Sequence, residues 1–218
     1  MSPTPAQMAL LALAWLGYFI AHSLLASLGL KNWVAHKLPR LMPAYRLLFN
    51  LLAVITLVLP LWLLYQYQGA PLWQWQGFEK WISNGLRFSA AFAFIWTLKY
   101  YDGSEILGLR QIRVREQSVE DQENFHISPF HRFVRHPWYF FSLVFIWAGD
   151  MEAAWLVSAV MLSLYFIIGS RLEERKLRAY HGKIYARYAS AVPGLIPLPW
   201  RYLSHADARK LIAGNTGF

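Results

Sequence analysis

The sequence predicts an all-α integral membrane protein: a polytopic helical bundle of about five transmembrane helices with a cytoplasmic, C-terminal amphipathic helix. Three observations lead there. Of 218 residues, 56% are hydrophobic and only 15% charged, against about 25% charged in an average soluble domain. Apolar stretches recur at lengths near the ~20 residues that cross a hydrocarbon core. Basic residues gather in alternate connections between those stretches, as they do beside a bilayer.

Residues 8–30 form the first predicted span, interrupted only by small residues and His22. Residues 45–67 form the second, with Pro60 as a kink, and residues 81–101 the third, with Arg87 near one end. The runs 138–148 and 153–169 are shorter, and Gly149-Asp150-Met151-Glu152 separates them. They are expected to form a tight helical hairpin, which brings the count to five. The N-terminus lacks a basic n-region and its first apolar stretch is long enough to span, so no secretory signal is expected.

Of 21 basic residues, 18 fall after spans one, three and five; Lys80 and Arg87 lie on the opposite side, and Lys99 sits near a boundary. That bias puts the N-terminus outside and the C-terminus in the cytoplasm, with a bacterial inner membrane as the expected location. The net charge of +9 is spread between apolar spans, so nucleic acid is not an expected partner and the lipid bilayer is. Zero cysteines exclude disulfides, thiolate metal sites and a cysteine nucleophile.

From Arg171 the chain is expected to leave the membrane as a helix. Leu177, Tyr180, Ile184 and Tyr188 make one apolar stripe, and Glu173, four residues before Leu177, joins it. Arg175, Arg178 and Lys183 occupy the other face, suited to anionic headgroups. Pro193 and Pro197 end the regular structure.

Arg135-His136-Pro137-Trp138-Tyr139 lies where the long loop re-enters the apolar layer. One reading is a boundary, with Pro in a first helical turn and Arg and aromatics at headgroup depth. The other is a ligand site, because Pro fixes a short turn and leaves His136 and the adjacent amides to bind a polar molecule. Glu174 reads as a solvated acid near a helix start. Glu173 is expected to turn toward the apolar stripe, where a carboxylate needs a partner: a ligand ammonium or hydroxyl, or Arg135 or Arg132 in an ion pair. His126, His131 and His136 are spaced by five, which does not align them on one helical face, and no metal site is expected. His22, inside a span, is a functional candidate or a core histidine hydrogen-bonded to a neighbouring helix. Tyr45 and Arg46 begin the second span, as anchors or facing a site. No dinucleotide, Walker A or nucleophile-elbow signature is present.

On these residues, the region from about 125 to 199 resembles the membrane methyltransferases typified by isoprenylcysteine carboxyl methyltransferase and phospholipid N-methyltransferase. The resemblance rests on Arg135-His136-Pro137-x-Tyr139, Glu173-Glu174, Gly182-x-x-Tyr185-x-x-Tyr188, Val192-Pro193 and Ile196-Pro197. The N-terminal half is similar to the NnrU-type branch, which includes methanethiol S-methyltransferases, through His22-Ser23, Tyr45-Arg46-Leu47 and Gly108-Leu109-Arg110-Gln111-Ile112. The resemblance implies S-adenosylmethionine bound on the cytoplasmic side, with Phe130, His136, Pro137, Trp138, Tyr139 and Glu173 matching the family's cofactor contacts. Where prenylcysteine enzymes carry a substrate-binding Arg, four residues before that Glu, this chain has Gly169; Ser128 and Phe140 replace smaller residues. A different acceptor is therefore implied, a small thiol or a lipophilic molecule.

Methyl transfer from a sulfonium is an in-line displacement that needs alignment and exclusion of water. A thiol acceptor reacts as thiolate, so a base or positive field should lie nearby, and His22, Arg46 and His131 are the candidates. A single membrane domain, 1–218, is expected: a three-helix part (8–101), a cytoplasmic loop (102–137), the hairpin (138–169) and a C-terminal segment (170–218) that completes the cofactor site. Two other functions compete. One is an NnrU-like isomerase whose haem would be held by His22 and one of His126, His131 or His136, and which would show a Soret band. The other is a non-catalytic membrane component that binds no S-adenosylmethionine.

Overall fold

A computed structural model describes residues 2–116, 119 and 127–213. Among the described residues the protein is largely α-helical, with two very short strands. Three helical segments among those residues are long and apolar enough to cross a bilayer: Pro5–Ala26, Pro39–Gln66 and Ala153–Ala191. Helices occupy the other two predicted spans as well, one of 21 residues that carries Glu79, Lys80 and Arg87 and one of 11 residues.

Helix α1 (Pro5–Ala26) starts where Thr4 and Gln7 form a reciprocal capping box, with Pro5 in the first turn. It ends earlier than the predicted span. Ser27 is extended, accepts from the Leu30 amide and donates to the Leu24 carbonyl. One residue thus closes α1 and caps α2 (Leu28–Lys37). A 3₁₀ turn (Pro39–Ala44) leads into α3 (Tyr45–Gln66), which matches its prediction within one residue and holds Pro60 in its interior. Strand β1 (Pro71–Trp73) precedes α4 (Gly77–Thr97). The expected loop 102–137 contains two short helices, α5 (Gly103–Leu107) and α6 (Leu109–Val114), and a 3₁₀ turn, Phe130–Arg132. His126 lies outside the described residues.

Helix α7 (Pro137–Trp147) rises only about 16 Å, roughly half a hydrocarbon core. Strand β2 (Met151–Glu152) then gives way to α8 (Ala153–Ala191). The predicted fifth span and the helix after it therefore follow one another directly, as two helical stretches that meet at a kink at Gly182. Only Gly182 departs from helical geometry inside α8, at φ 51°, a conformation open to glycine. Helix α9 (His205–Ala213) follows.

The chain divides into two compact units. The first comprises Met1–Gln74, Tyr101–Gln122 and Asp150–Leu162. Its core holds Leu11, Trp15, Leu63, Met151 and Ala159, and the Trp15 indole donates to Ser158 at 2.9 Å. The strands β1 and β2 pair antiparallel within it. Gly108, at φ 86°, sits so close to α3 that an added Cβ would lie 2.5 Å from the Leu47 nitrogen.

The second unit comprises Trp75–Tyr100, Glu123–Gly149 and Ser163–Phe218. Helix α4 meets α7 at both ends: Ser83 donates to the Ala148 carbonyl at 2.6 Å, and the Trp138 indole donates to Thr97. Tyr185, Tyr188, Ala189 and Val192 pack with Ile127 and Ala208. Large apolar side chains such as Leu13, Ile20, Val54, Val58, Phe88 and Ile95 are exposed, as expected of helices whose outer faces meet lipid.

Candidate active site

His136 is the N-cap of α7 and Pro137 its first residue. Proline costs nothing there, because that amide has no partner inside the helix. The His136 ring does not cap the helix. The backbone just before α7 is instead fixed from outside: the Arg135 amide donates to the Pro193 carbonyl at 2.9 Å, and the His136 amide to Gly194 at 3.1 Å. Those residues follow the end of α8, so the start of one helix and the end of another are held together.

That pairing gathers five side chains. The imidazole of His136 is buried, with Nδ1 3.4 Å from Glu173 Oε2 and Nε2 3.2 Å from Glu174 Oε1. Arg135 reaches Glu174 Oε1 through Nε at 2.8 Å and a terminal nitrogen at 2.7 Å. Its other terminal nitrogen donates to the Ala189 and Val192 carbonyls at the end of α8. Tyr139 stacks in parallel between His136, at 5.4 Å, and Phe166, at 4.8 Å. Its hydroxyl donates to Glu173 Oε2 at 3.5 Å. Gly194 lies against the ion pair, where an added Cβ would stand 3.3 Å from Arg135 and 3.7 Å from Glu174.

The two glutamates do different things, and in the opposite sense to the sequence expectation. Glu174 is the enclosed one, 14% exposed, while Glu173 is 47% exposed. Leu177 and Ser170 share the inward face with Glu174, and Tyr180 points outward. Residues 173 and 174 lie four and three positions before Leu177, so both fall within one turn of it and periodicity alone does not separate them. Arg135 pairs with Glu174, not with Glu173. The contacts of Arg135 with Glu174 and with Gly194 span 39 and 59 positions of sequence, and the local sign was a Pro-Gly pair after α8.

Burial lowers the affinity of His136 for a proton, but the hydrogen bonds and charges of Glu173 and Glu174 outweigh it and raise the pKa to about 8. Burial also pushes the Glu174 carboxyl up, and there the hydrogen bonds from His136 and Arg135 and their charges win, holding it below the usual range. Basic and acidic side chains thus alternate through the cluster: Arg135, Glu174, His136, Glu173. Glu173 is its accessible member.

The remaining predicted residues have other neighbours. Phe130 packs edge-on against Phe141 at 5.1 Å. Trp138 faces α4, with its ring 5.7 Å from Phe94. His131 Nδ1 is 2.7 Å from the Ser128 hydroxyl, and its carbonyl accepts from Tyr188 at 2.7 Å. The Gly-x-x-Tyr-x-x-Tyr stretch is thus a core device: Gly182 adjusts the helix and both tyrosines are buried beyond it. His22 and Arg46 belong to the first unit. There His22 lies between Tyr18, at 5.8 Å, and Phe49, at 4.9 Å, and Arg46 packs where α3 meets Gly108.

A carboxylate open to solvent, braced by an imidazole and a phenol, suits a ligand cation or hydroxyl pair. Similar proteins narrow the choice. Methanethiol S-methyltransferase 2 of Bradyrhizobium diazoefficiens is 31% identical over 187 residues, covering 83% of this chain and 69% of that protein. Methanethiol S-methyltransferase of Crocosphaera subtropica is 30% identical over 190 residues, covering 84% and 72%. That of Pseudomonas deceptionensis is 27% identical over 192 residues, covering 83% and 69%. No family model and no solved structure matches. With the first two at 30% identity or more over more than two thirds of their own length, the chain belongs to the methanethiol S-methyltransferase family.

Proposed function

We propose that the chain is an integral membrane methyltransferase that moves a methyl group from S-adenosylmethionine to a small thiol or another lipophilic acceptor. The reading includes a bacterial inner membrane, an N-terminus outside, and the donor site on the cytoplasmic face. One observation carries it: in a chain of this family, a half-exposed carboxylate, Glu173, sits where α7 begins, held from one side by His136 and Tyr139. S-adenosylmethionine supplies an electrophilic methyl on a sulfonium, together with an ammonium and ribose hydroxyls.

The side chains have distinct tasks. Glu174 is committed to Arg135 and His136 and fixes the ring. The ring in turn orients Glu173, which accepts hydrogen bonds from the donor's ammonium or hydroxyls. Tyr139, stacked on the His136 ring, lays an aromatic face beside it, while Phe130, Pro137 and Trp138, which pack against other neighbours, are left to meet the rest of the donor and help keep water from it. No new charge has to be stabilised, since a cationic donor leaves as a neutral thioether. Alignment is the main contribution, and fixed geometry can supply several kcal/mol of it. On the acceptor side, His22, Arg46 or His131 provides the base or positive field that favours thiolate.

The test is to incubate protein reconstituted in lipid vesicles with methyl-labelled S-adenosylmethionine and a panel of short thiols, prenylcysteines and amino-phospholipids. Label on a thiol is the expected result. Label on a phospholipid alone would replace the acceptor class, and no transfer to any acceptor would contradict the enzyme reading.

A further inference from the structure

Residues 195–202 form an exposed apolar projection that the donor site does not use. Leu198 and Arg201 close a β-turn, with the Arg201 amide donating to the Leu198 carbonyl at 3.0 Å. Pro199 holds the second position, where its fixed φ belongs, and Trp200 the third. The Arg201 guanidinium donates to the Ser190 carbonyl at 2.6 Å and so fastens the turn to the end of α8. Arg132 and Leu203 exchange hydrogen bonds at 2.9 and 3.0 Å, and Tyr202 stacks on Phe133 at 5.9 Å. The turn is therefore a braced one, yet Trp200 at its tip is 75% exposed and Ile196 65%.

Turn tips are ordinarily built from small polar residues. A braced turn with indole at its tip, followed by Tyr202, has the composition found at membrane–water boundaries, where aromatic rings sit among headgroups. The depth agrees. Pro193 and Gly194, just before this segment, hydrogen-bond to Arg135 and His136 at the start of the apolar helix α7, where the sequence is expected to re-enter the apolar layer. The projection thus starts at the boundary level. Arg132 and Arg201 flank it with positive charge complementary to anionic lipid. The apolar side of α9 has its own partners, because Leu211 and Ile212 pack on the core cluster.

We propose that the 195–202 segment is an interfacial anchor that lowers Trp200 and Ile196 into the headgroup region of the leaflet from which α7 starts, holding the Pro193–Gly194 wall of the site against the bilayer. The partner is the lipid surface itself.

The chain has no cysteine, so single-cysteine variants can be labelled uniquely. Trp200→Cys, Ile196→Cys (which keeps Trp200) and Ala206→Cys on α9 would each carry an environment-sensitive fluorophore in phosphatidylcholine–phosphatidylglycerol vesicles. Positions 196 and 200 should emit to the blue of 206 and be quenched about twofold more by lipids doxyl-labelled near the headgroup. Soluble iodide should quench them less. Iodide quenching equal to that at 206 would overturn the proposal. So would shielding from iodide without doxyl quenching, which would mean that protein, not lipid, covers the turn.

Discussion

Nε2 of His136 stands 3.2 Å from Oε1 of Glu174, and the same oxygen takes a 2.7 Å contact from Arg135. One carboxylate oxygen therefore ties together the residue that begins α7, the residue before it and the middle of α8. Removing one partner of an enclosed ion pair leaves the other charge uncompensated, which costs more than the pair itself contributes.

Glu174→Gln should accordingly destabilise the protein by about 2 kcal/mol. Thermal unfolding in detergent would show a lowered midpoint. The double variant Arg135→Met/Glu174→Leu should recover part of the loss, since no charge is then stranded. An unchanged midpoint in Glu174→Gln would mean that the pair does not hold the two helices.

The same geometry sets a pH dependence. His136 has a pKa of about 8 in the folded protein against an ordinary 6.5. A raised pKa means that the proton stabilises the fold, so this contribution is complete below pH 6.5 and is lost as pH rises through about 8. The loss amounts to at most about 2 kcal/mol. Glu174 acts the other way, because its lowered pKa gives stability that disappears as pH falls through the lowered value. Unfolding midpoints recorded across this range should fall on the alkaline side, and His136→Gln should remove that step. A step that survives the substitution belongs to another group.

Much of this arrangement was legible in the sequence, for identifiable reasons. A long apolar run, broken in its interior only by Asn50 and Thr56, located α3 within one residue. The α1 boundary was missed because Ser27 could be either a small interior residue or a cap, and only the folded chain shows it serving two helices. His136 beside the two glutamates follows from motif order, whereas the inward glutamate does not, because adjacent helical positions differ by one step of rotation. Arg135 bonding to Ala189 and Val192 depends on tertiary approach, and no local pattern encodes it.

Two glycines with positive φ offer a controlled comparison. Gly108→Ala would put a Cβ 2.5 Å from the Leu47 nitrogen, whereas Gly77→Ala meets nothing within 4 Å. Gly77→Ala should cost about 1 kcal/mol for the backbone conformation alone. Gly108→Ala should cost about 3 kcal/mol, because backbone must shift as well. Equal losses in denaturation would show that the approach of Gly108 to α3 relaxes without penalty.

On the acceptor side, His22→Ala should slow turnover more than it weakens donor binding, since His22 packs with Tyr18 and Phe49 whereas Glu173 meets His136 and Tyr139. Steady-state kinetics set beside calorimetric donor affinity would separate the two effects. Full activity would leave His22 as an aromatic packing residue.

The most direct measurement is calorimetric titration of S-adenosylmethionine and its demethylated product into wild-type protein and Glu173→Gln, with unfolding midpoints taken alongside. The wild type should bind measurably, the variant should lose at least about tenfold in affinity, and stability should change little, because Glu173 is half exposed. Equal affinity in both proteins, or none in either, would contradict a donor site at Glu173.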